Sequence, residues 1–194
     1  MDKGLVGKKM RISLRAFVAE DIQLIQQWIH TGNLSYFMSR WSPHDFIDGS
    51  WPKDLVRWHT IILEGREIGT VWMERDSSTS KTCDLGILIG DPAFRGHGAG
   101  SQAILLAELD AAAHWGADLV RLRVRASNSR AIRCYQKAGY LLSGVTQKDI
   151  DGVMMEVMHM EHSLIAHKLD KPTKSVAPTG YGRRRFSDGL AGEG

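Results

Sequence analysis

Apolar and polar positions alternate over residues 11–15 (RISLR), which predicts a strand with one buried face. In 19–29 the period changes: Ile22, Ile25, Trp28 and Ile29 recur at helical spacing, with Glu20 and Asp21 placed to suit the positive end of a helix dipole. Residues 31–54 keep neither period. Gly32, Asn33, Pro43, Gly49 and Pro52 interrupt them, and Tyr36, Phe37, Trp41, Phe46 and Trp51 make them rich in aromatics. Residues 55–63 and 67–75 predict two strands around Glu64-Gly65-Arg66. A polar loop at 76–81 leads to an apolar strand at 83–90, ended by Asp91-Pro92. The second half is sharper. Gly96, Gly98 and Gly100 form a turn before a helix at 101–115, closed by Gly116. A strand at 118–125 follows, then a helix at 129–138 that begins at Ser127-Asn128 and stops at Gly139. Strands at about 140–147 and 153–162, joined by the turn at 149–152, complete a domain over residues 1–166. Residues 167–194 have few apolar positions and are expected to form a flexible basic tail.

The order β-α-loop-β-β-β-α-β-α-β-β implies a mixed α/β sheet. Its β-α-β-α-β centre implies neighbouring parallel strands with crossover helices, and the hairpins imply antiparallel additions. Composition narrows the class. A chain of 194 residues suits one α/β domain, and 43% hydrophobic with 24% charged residues is ordinary globular usage. No apolar run approaches the ~20 residues of a membrane helix, and no apolar segment follows the N-terminal charges as a secretory signal would require. Cys83 and Cys134 cannot build a disulfide framework or, without clustered His, a structural zinc site; a reduced cytoplasmic protein without metal is expected. Of 25 Lys/Arg and 22 Asp/Glu, six and three lie from Lys168 onward, which leaves 19 of each in the body. The body is therefore not a basic nucleic-acid-binding domain, and Arg183, Arg184 and Arg185 read as part of a solvated tail.

The turn Phe94-Arg95-Gly96-His97-Gly98-Ala99-Gly100-Ser101 joins a strand to a helix N-terminus. Glycines there let backbone N–H groups converge, and the helix end adds unpaired donors and a positive dipole. The result is a cradle for a phosphate or pyrophosphate, with Arg95 as a charged contact; the competing reading is a tight turn without ligand. A Walker A loop is excluded because no Lys follows, and the dinucleotide fingerprint fails because Ser101 stands at its sixth position. The pattern Arg-x-x-Gly-x-Gly over residues 95–100 resembles that of the GNAT superfamily of acyl-coenzyme A-dependent N-acyltransferases. A second block, Asn128-Ser129-Arg130-Ala131-Ile132-Arg133-Cys134-Tyr135-Gln136-Lys137-Ala138-Gly139-Tyr140, is similar to that family's Asn-x-x-Ala-x-x-x-Tyr-x-x-x-Gly-Phe/Tyr. Asn128 suits a helix cap, and Tyr135 lies two turns on along the same side.

The resemblance spans roughly residues 10–163 and is specific from about 84 to 142. It implies a GNAT fold: a mixed, mostly antiparallel sheet in which two parallel strands, 84–90 and 118–125, splay apart. It implies acetyl-coenzyme A (acetyl-CoA) as co-substrate and no metal. The main chain of Ile87, Leu88 and Ile89 would hold the pantetheine arm. Arg95, Gly96, His97, Gly98, Ala99, Gly100 and Ser101 would hold the pyrophosphate, and Asn128 would meet the cofactor between the helices. Tyr135 would hydrogen-bond or protonate the departing thiolate; otherwise it is a core aromatic. An amine must be neutral to attack a thioester, so a base or water chain is required. Asp84 is the first candidate, with Glu74, His44 and Asp45 behind it. Cys134, about 100° around the helix from Tyr135, is expected to be a buried thiol rather than a nucleophile.

The residues over 11–29 resemble the branch that contains ribosomal-protein N-terminal and aminoglycoside 6′-N-acetyltransferases. The expected acceptor is a small-molecule amine: an amino sugar, nucleotide sugar, polyamine or antibiotic. Tyr36, Trp41, His44, Asp45 and Trp51 either line its pocket, with Asp48 beside them, or simply cover the core. A protein N-terminus or lysine is the alternative acceptor, and a non-catalytic CoA-binding sensor or scaffold is the alternative of another class. Neither nucleic acid nor membrane is an expected partner; a homodimer fits a family in which dimers are frequent. Arg121, Arg123 and Arg125 alternate on one strand face; they either contact a phosphate or acidic ligand or stand at a solvated sheet edge, and the edge is expected.

Overall fold

The computed structural model describes residues 11–32, 40–44, 46, 50–150 and 152–165. Tyr36, Asp45, Asp48 and the tail at 167–194 lie outside these residues. Among the described residues, seven strands form one sheet: β1 (Ile12–Ala16), β2 (Val56–Leu63), β3 (Arg66–Glu74), β4 (Thr82–Ile89), β5 (Leu119–Arg125), β6 (Leu141–Ile150) and β7 (Val153–Ser163). Three α-helices accompany them: α1 (Ile22–Gly32), α2 (Ala99–Trp115) and α3 (Ser129–Lys137). The strand order is β1-β2-β3-β4-β5-β7-β6, and among the described residues only β4 and β5 are parallel neighbours. The expected mixed, mostly antiparallel α/β sheet is present. The sequence order had implied a second parallel neighbour for β5. Instead β7 inserts between β5 and β6 and pairs antiparallel with both.

The predicted helix at 19–29 begins as a short 3₁₀ turn, Ala19–Asp21, and continues as α1. Asp21 explains the switch. Its carboxylate accepts bonds from both Arg15 guanidinium nitrogens (2.9 Å each), the Val18 N–H (3.1 Å) and Thr60 Oγ1 (2.8 Å). That ties β1, β2 and the helix start together.

Strand alternation divides the core between the two faces of the sheet. Under α2 and α3 lie Ile61, Val71, Met73, Cys83, Leu85, Val120, Leu122 and Met160, packed against Ala103, Ile104, Ala107 and Ala111 of α2. The small alanines let the helix approach the strands closely. On the other face Phe17, Ile25, Trp58, Trp72 and Leu88 form a second, aromatic cluster beneath α1. Phe17 and Trp58 stack there with ring centroids 3.7 Å apart.

Candidate active site

β4 and β5 pair over three positions only: Thr82 with Leu119, Cys83 with Val120 and Asp84 with Arg121. Beyond that point β4 remains paired to β3 as far as Ile89, and β5 to β7 as far as Arg125. Each strand is thus held on its outer side while the two part from one another. A cleft of about 920 Å³ fills the opening. Ile87, Leu88 and Ile89 line it, and their main chain faces it from a strand edge that has no strand partner among the described residues.

The glycine turn closes one end. Pro92–Phe94 form a 3₁₀ turn capped by Asp91, whose Oδ1 accepts the Ala93 N–H at 2.9 Å. Gly96 and Gly98 take φ of +85° and +90°, a region that favours glycine, and a Cβ at either would meet nothing within 4 Å. The space in front of the turn is therefore open. The first bond of α2 runs from the Gln102 N–H to the Gly98 carbonyl (3.2 Å), so the amides of residues 99–101 precede the helix ladder. Gly96, Gly98, Gly100 and Ser101 line the cleft. His97 is exposed, and the Ala99 methyl is buried in the core, so neither side chain is part of the wall. Arg95 lines the cleft but also straps the end of β4, donating to the carbonyls of Ile89 (2.9 Å) and Gly90 (2.7 Å).

α3 forms the facing wall. Asn128 caps it as expected, its Oδ1 accepting the Ala131 N–H at 3.2 Å, and it also lines the cleft. Tyr135 lies in the same wall. Burial pushes its phenol well above the ordinary tyrosine pKa, and among the described residues no hydrogen-bond partner of its hydroxyl is present. It therefore offers a permanent O–H to the cleft. Cys134 stands between α3 and α2; a Cβ on Gly100 would come within 3.0 Å of its sulfur. Burial raises its pKa too, as expected for an inert thiol.

The acidic candidates gather where β4 and β5 part. Asp84 lines the cleft and faces Arg121, with Nε–Oδ1 at 3.2 Å and Nη2–Oδ2 at 3.5 Å. Glu74 stands opposite Asp84 in the β3–β4 register. Arg40 holds it through both carboxylate oxygens, and the His44 N–H donates to it at 2.9 Å. His44 and Arg40 line the cleft, whereas Trp41 and Trp51 pack against the aromatic cluster away from it. Trp51 sits 5.2 Å from Trp58 and 5.8 Å from Phe17, with the Lys53 ammonium 3.3 Å above its ring.

The profile of the acetyltransferase (GNAT) family matches residues 25–140, more than half of the chain. The chain belongs to the GNAT acetyltransferase family. Among solved structures, this GNAT protein is similar to aminoglycoside acetyltransferase AAC(6′)-Ib in complex with coenzyme A and kanamycin. There the identity is 18% and the TM-score 0.66, with 82% of this chain and 99% of that one covered. It is also similar to a spermidine N-acetyltransferase from Vibrio cholerae in complex with CoA and spermine, at 18% identity and TM-score 0.64, covering 78% and 95%. A domain from Methanocaldococcus jannaschii DSM 2661 matches at 18% identity and TM-score 0.60, covering 80% and 100%. At such identities the likeness shows a shared fold. No curated protein sequence matches significantly.

The GNAT cleft also contains residues that the sequence reading missed. Arg130, Arg133 and Lys137 of α3 line it. Their i, i+3, i+7 spacing places them on one side of the helix, a signal present in the sequence. Arg121, Arg123 and Arg125 are not at a sheet edge, because β5 lies between β4 and β7. Arg123 and Arg125 line the cleft, together with Lys148 of β6 and Trp72 of β3.

Proposed function

We propose that this GNAT protein moves an acetyl group from acetyl-CoA to a primary amine of a small molecule by direct attack in a ternary complex. The three-residue limit of the β4–β5 pairing carries the reading. It opens a passage through the sheet, with an anion cradle at one end and Tyr135 in its wall. The residues fit the co-substrate. The free edge of β4 at 87–89 suits an amide-bearing arm, the α2 N-terminus suits a pyrophosphate, and Arg130, Arg133 and Lys137 suit further phosphate charge. Acetyl-CoA supplies an acyl group activated on sulfur. The C–S bond is exchanged for a C–N bond, and the proton lost by nitrogen ends on the thiol.

Tyr135 meets the sulfur as a hydrogen-bond donor. Its phenol, pushed above pKa ~10, is a weaker acid than an ordinary thiol at ~8.5, so outright proton transfer to the thiolate runs uphill. Asp84, at the vertex of the opening and oriented by Arg121, is our assignment for the group that receives the amine proton. The other GNAT structures hold kanamycin and spermine, which supports a small-molecule amine acceptor.

The test combines calorimetry of acetyl-CoA binding with thiol release in the presence of amines. Gly98→Glu places an anion in the cradle and is expected to abolish binding. Tyr135→Phe is expected to keep the affinity and lower kcat by about 10²-fold. Asp84→Asn is expected to keep the affinity for acetyl-CoA and lower kcat by about 10²-fold. Wild-type protein that binds no acetyl-CoA would remove the basis of the reading. Binding without turnover of any amine would make the protein a CoA-binding module instead.

A further inference from the structure

Strand alternation sorts the charges of the cleft onto two faces of the sheet. On β5, Val120, Leu122 and Val124 point into the core beneath α2 and α3. Arg121, Arg123 and Arg125 therefore point to the opposite face. On β4, Cys83 and Leu85 belong to the same core, which puts Asp84, Gly86 and Leu88 on the opposite face too. Contacts there agree: Asp84 meets Arg121, Gly86 lies against the Trp72 ring and Leu88 packs in the aromatic cluster. β7 and β6 extend this surface. His159 stands opposite Arg123, Val157 opposite Arg125, and Thr146 opposite Val157. Thr146 Oγ1 lies 2.9 Å from His159 Nε2, and Lys148, two residues on, shares its side.

The glycine turn, Arg130, Arg133 and Lys137 thus serve the helix side of the passage, where the phosphates of the co-substrate are assigned. Arg123, Arg125 and Lys148 line the other side. Arg125 is only 9% exposed, a guanidinium built into the wall rather than a surface charge. Two carboxylates on this side are already engaged, and Glu161, opposite Arg121 in the β5–β7 register, does not line the cleft. Arg121 faces Asp84, and Arg40 holds Glu74. Over the whole cleft, eight Lys and Arg line the wall against one carboxylate, Asp84, among the described residues. Among the described residues, a polycation would enter this side against net positive charge. An anion would enter with it, between donors 123, 125 and 148.

We infer that the acceptor amine carries an anionic group, a carboxylate or a phosphate, that seats against Arg123, Arg125 and Lys148 on the acceptor face. This rests on the acetyl-transfer reading above and goes beyond it by assigning the acceptor's charge. It separates this protein from acceptors such as spermine and kanamycin, whose amines leave them cationic.

The experiment measures equilibrium binding of amines to the full chain saturated with CoA, so that no turnover is needed. Glucosamine 6-phosphate is compared with glucosamine, and alanine with alanine amide; spermidine and kanamycin are the cations. The member of at least one pair that carries the phosphate or carboxylate is expected to bind about tenfold or more tightly than the member without it, the worth of one charge-assisted hydrogen bond. The preferred pair distinguishes phosphate from carboxylate. Arg123→Gln and Lys148→Gln are each expected to remove most of that preference while the affinity for the member without the anionic group stays put. Circular dichroism and acetyl-CoA affinity control for folding. Failure of acetyl-CoA to bind the wild type would sink the acetyl-transfer reading itself. Intact acetyl-CoA binding would sink the charge assignment alone in three cases: cations bind as well as anions, no anionic amine binds, or the variants keep the preference.

Discussion

Glu108 of α2 is buried to 2% exposure, and one of its oxygens accepts two hydrogen bonds: from Tyr140 Oη at 2.7 Å and from His162 Nδ1 at 3.0 Å. Tyr140 follows α3 and His162 lies on β7, so one carboxylate oxygen fastens three elements. Burial, then the Glu108 charge, pushes the Tyr140 pKa far up, so the phenol stays a donor at every working pH. Glu108→Ala removes the acceptor and leaves both buried donors to find new ones. An orphaned buried donor costs about 1–3 kcal/mol, so the loss from two is expected at about 2–6 kcal/mol. That is a large share of the ~5–15 kcal/mol that holds a domain together. Glu108→Gln keeps an acceptor oxygen but gives up charge assistance, and is expected to lose about 1–3 kcal/mol. Urea unfolding followed by tryptophan fluorescence reads both. With m near ~2 kcal/mol/M, a 3 kcal/mol loss moves the midpoint down by about 1.5 M. A double-mutant cycle with Tyr140→Phe is expected to show strong coupling. If Glu108→Ala loses under about 1 kcal/mol, or the coupling is near zero, the three-way junction is not what joins these elements. Tyr135 depends on the same junction, since its ring lies 6.0 Å from that of Tyr140.

Other outcomes follow from single sites. Burial alone would raise the Asp21 pKa, but the bonds from Arg15, Val18 and Thr60 outweigh it and hold the group below its ordinary value. Its contribution is therefore present above pH ~4 and fades as pH falls through the lowered folded value. Asp21→Asn is expected to cost about 1–3 kcal/mol at pH 7 and much less at pH 3, read by unfolding at both; an equal cost at the two would refute it. Burial holds the Cys83 thiol at about 11, so iodoacetamide at pH 8 is expected to label Cys134 slowly and Cys83 not at all. CoA is expected to protect Cys134, as mass spectrometry can show. A Cβ at Gly86 would fall 2.1 Å from the Trp72 ring carbons. Gly86→Ala is expected to displace that ring, costing about 1–3 kcal/mol and raising the KM for the amine more than that for acetyl-CoA.

Local periodicity was enough to place most elements to within two residues, as with the helix predicted at 129–138 and found at Ser129–Lys137. It erred where the deciding partner is distant in the chain. The start of α1 turned on Asp21 reaching Arg15 and Thr60. The position of β5 turned on β7, which arrives last and closes its free edge. For that reason the arginines of β5 read as a solvated face although they stand in the middle of the sheet. Alternation shows that a strand has two faces; it does not show what covers each. The glycine turn and the Asn128 cap were legible because each is built from immediate neighbours in sequence, whereas Tyr135 was singled out by the resemblance of residues 128–140 to the family's block; all three line the cleft. The side proposed for the acceptor is assembled from β3, β4, β5, β6, β7 and the residues around 40–44, and no local pattern announces it.

The short β4–β5 pairing also has a mechanical side. It makes the sheet two leaves, β1 to β4 and β5-β7-β6, stitched by a seam of three residue pairs. The weakest line across the molecule is thus the line along which a ligand would lie. Whatever fills that gap bridges the leaves as well as occupying a site, and at a hundred times its Kd it adds about 2.7 kcal/mol to stability. Slowed amide exchange along residues 85–89 and 122–125 would then report occupancy before any product is formed.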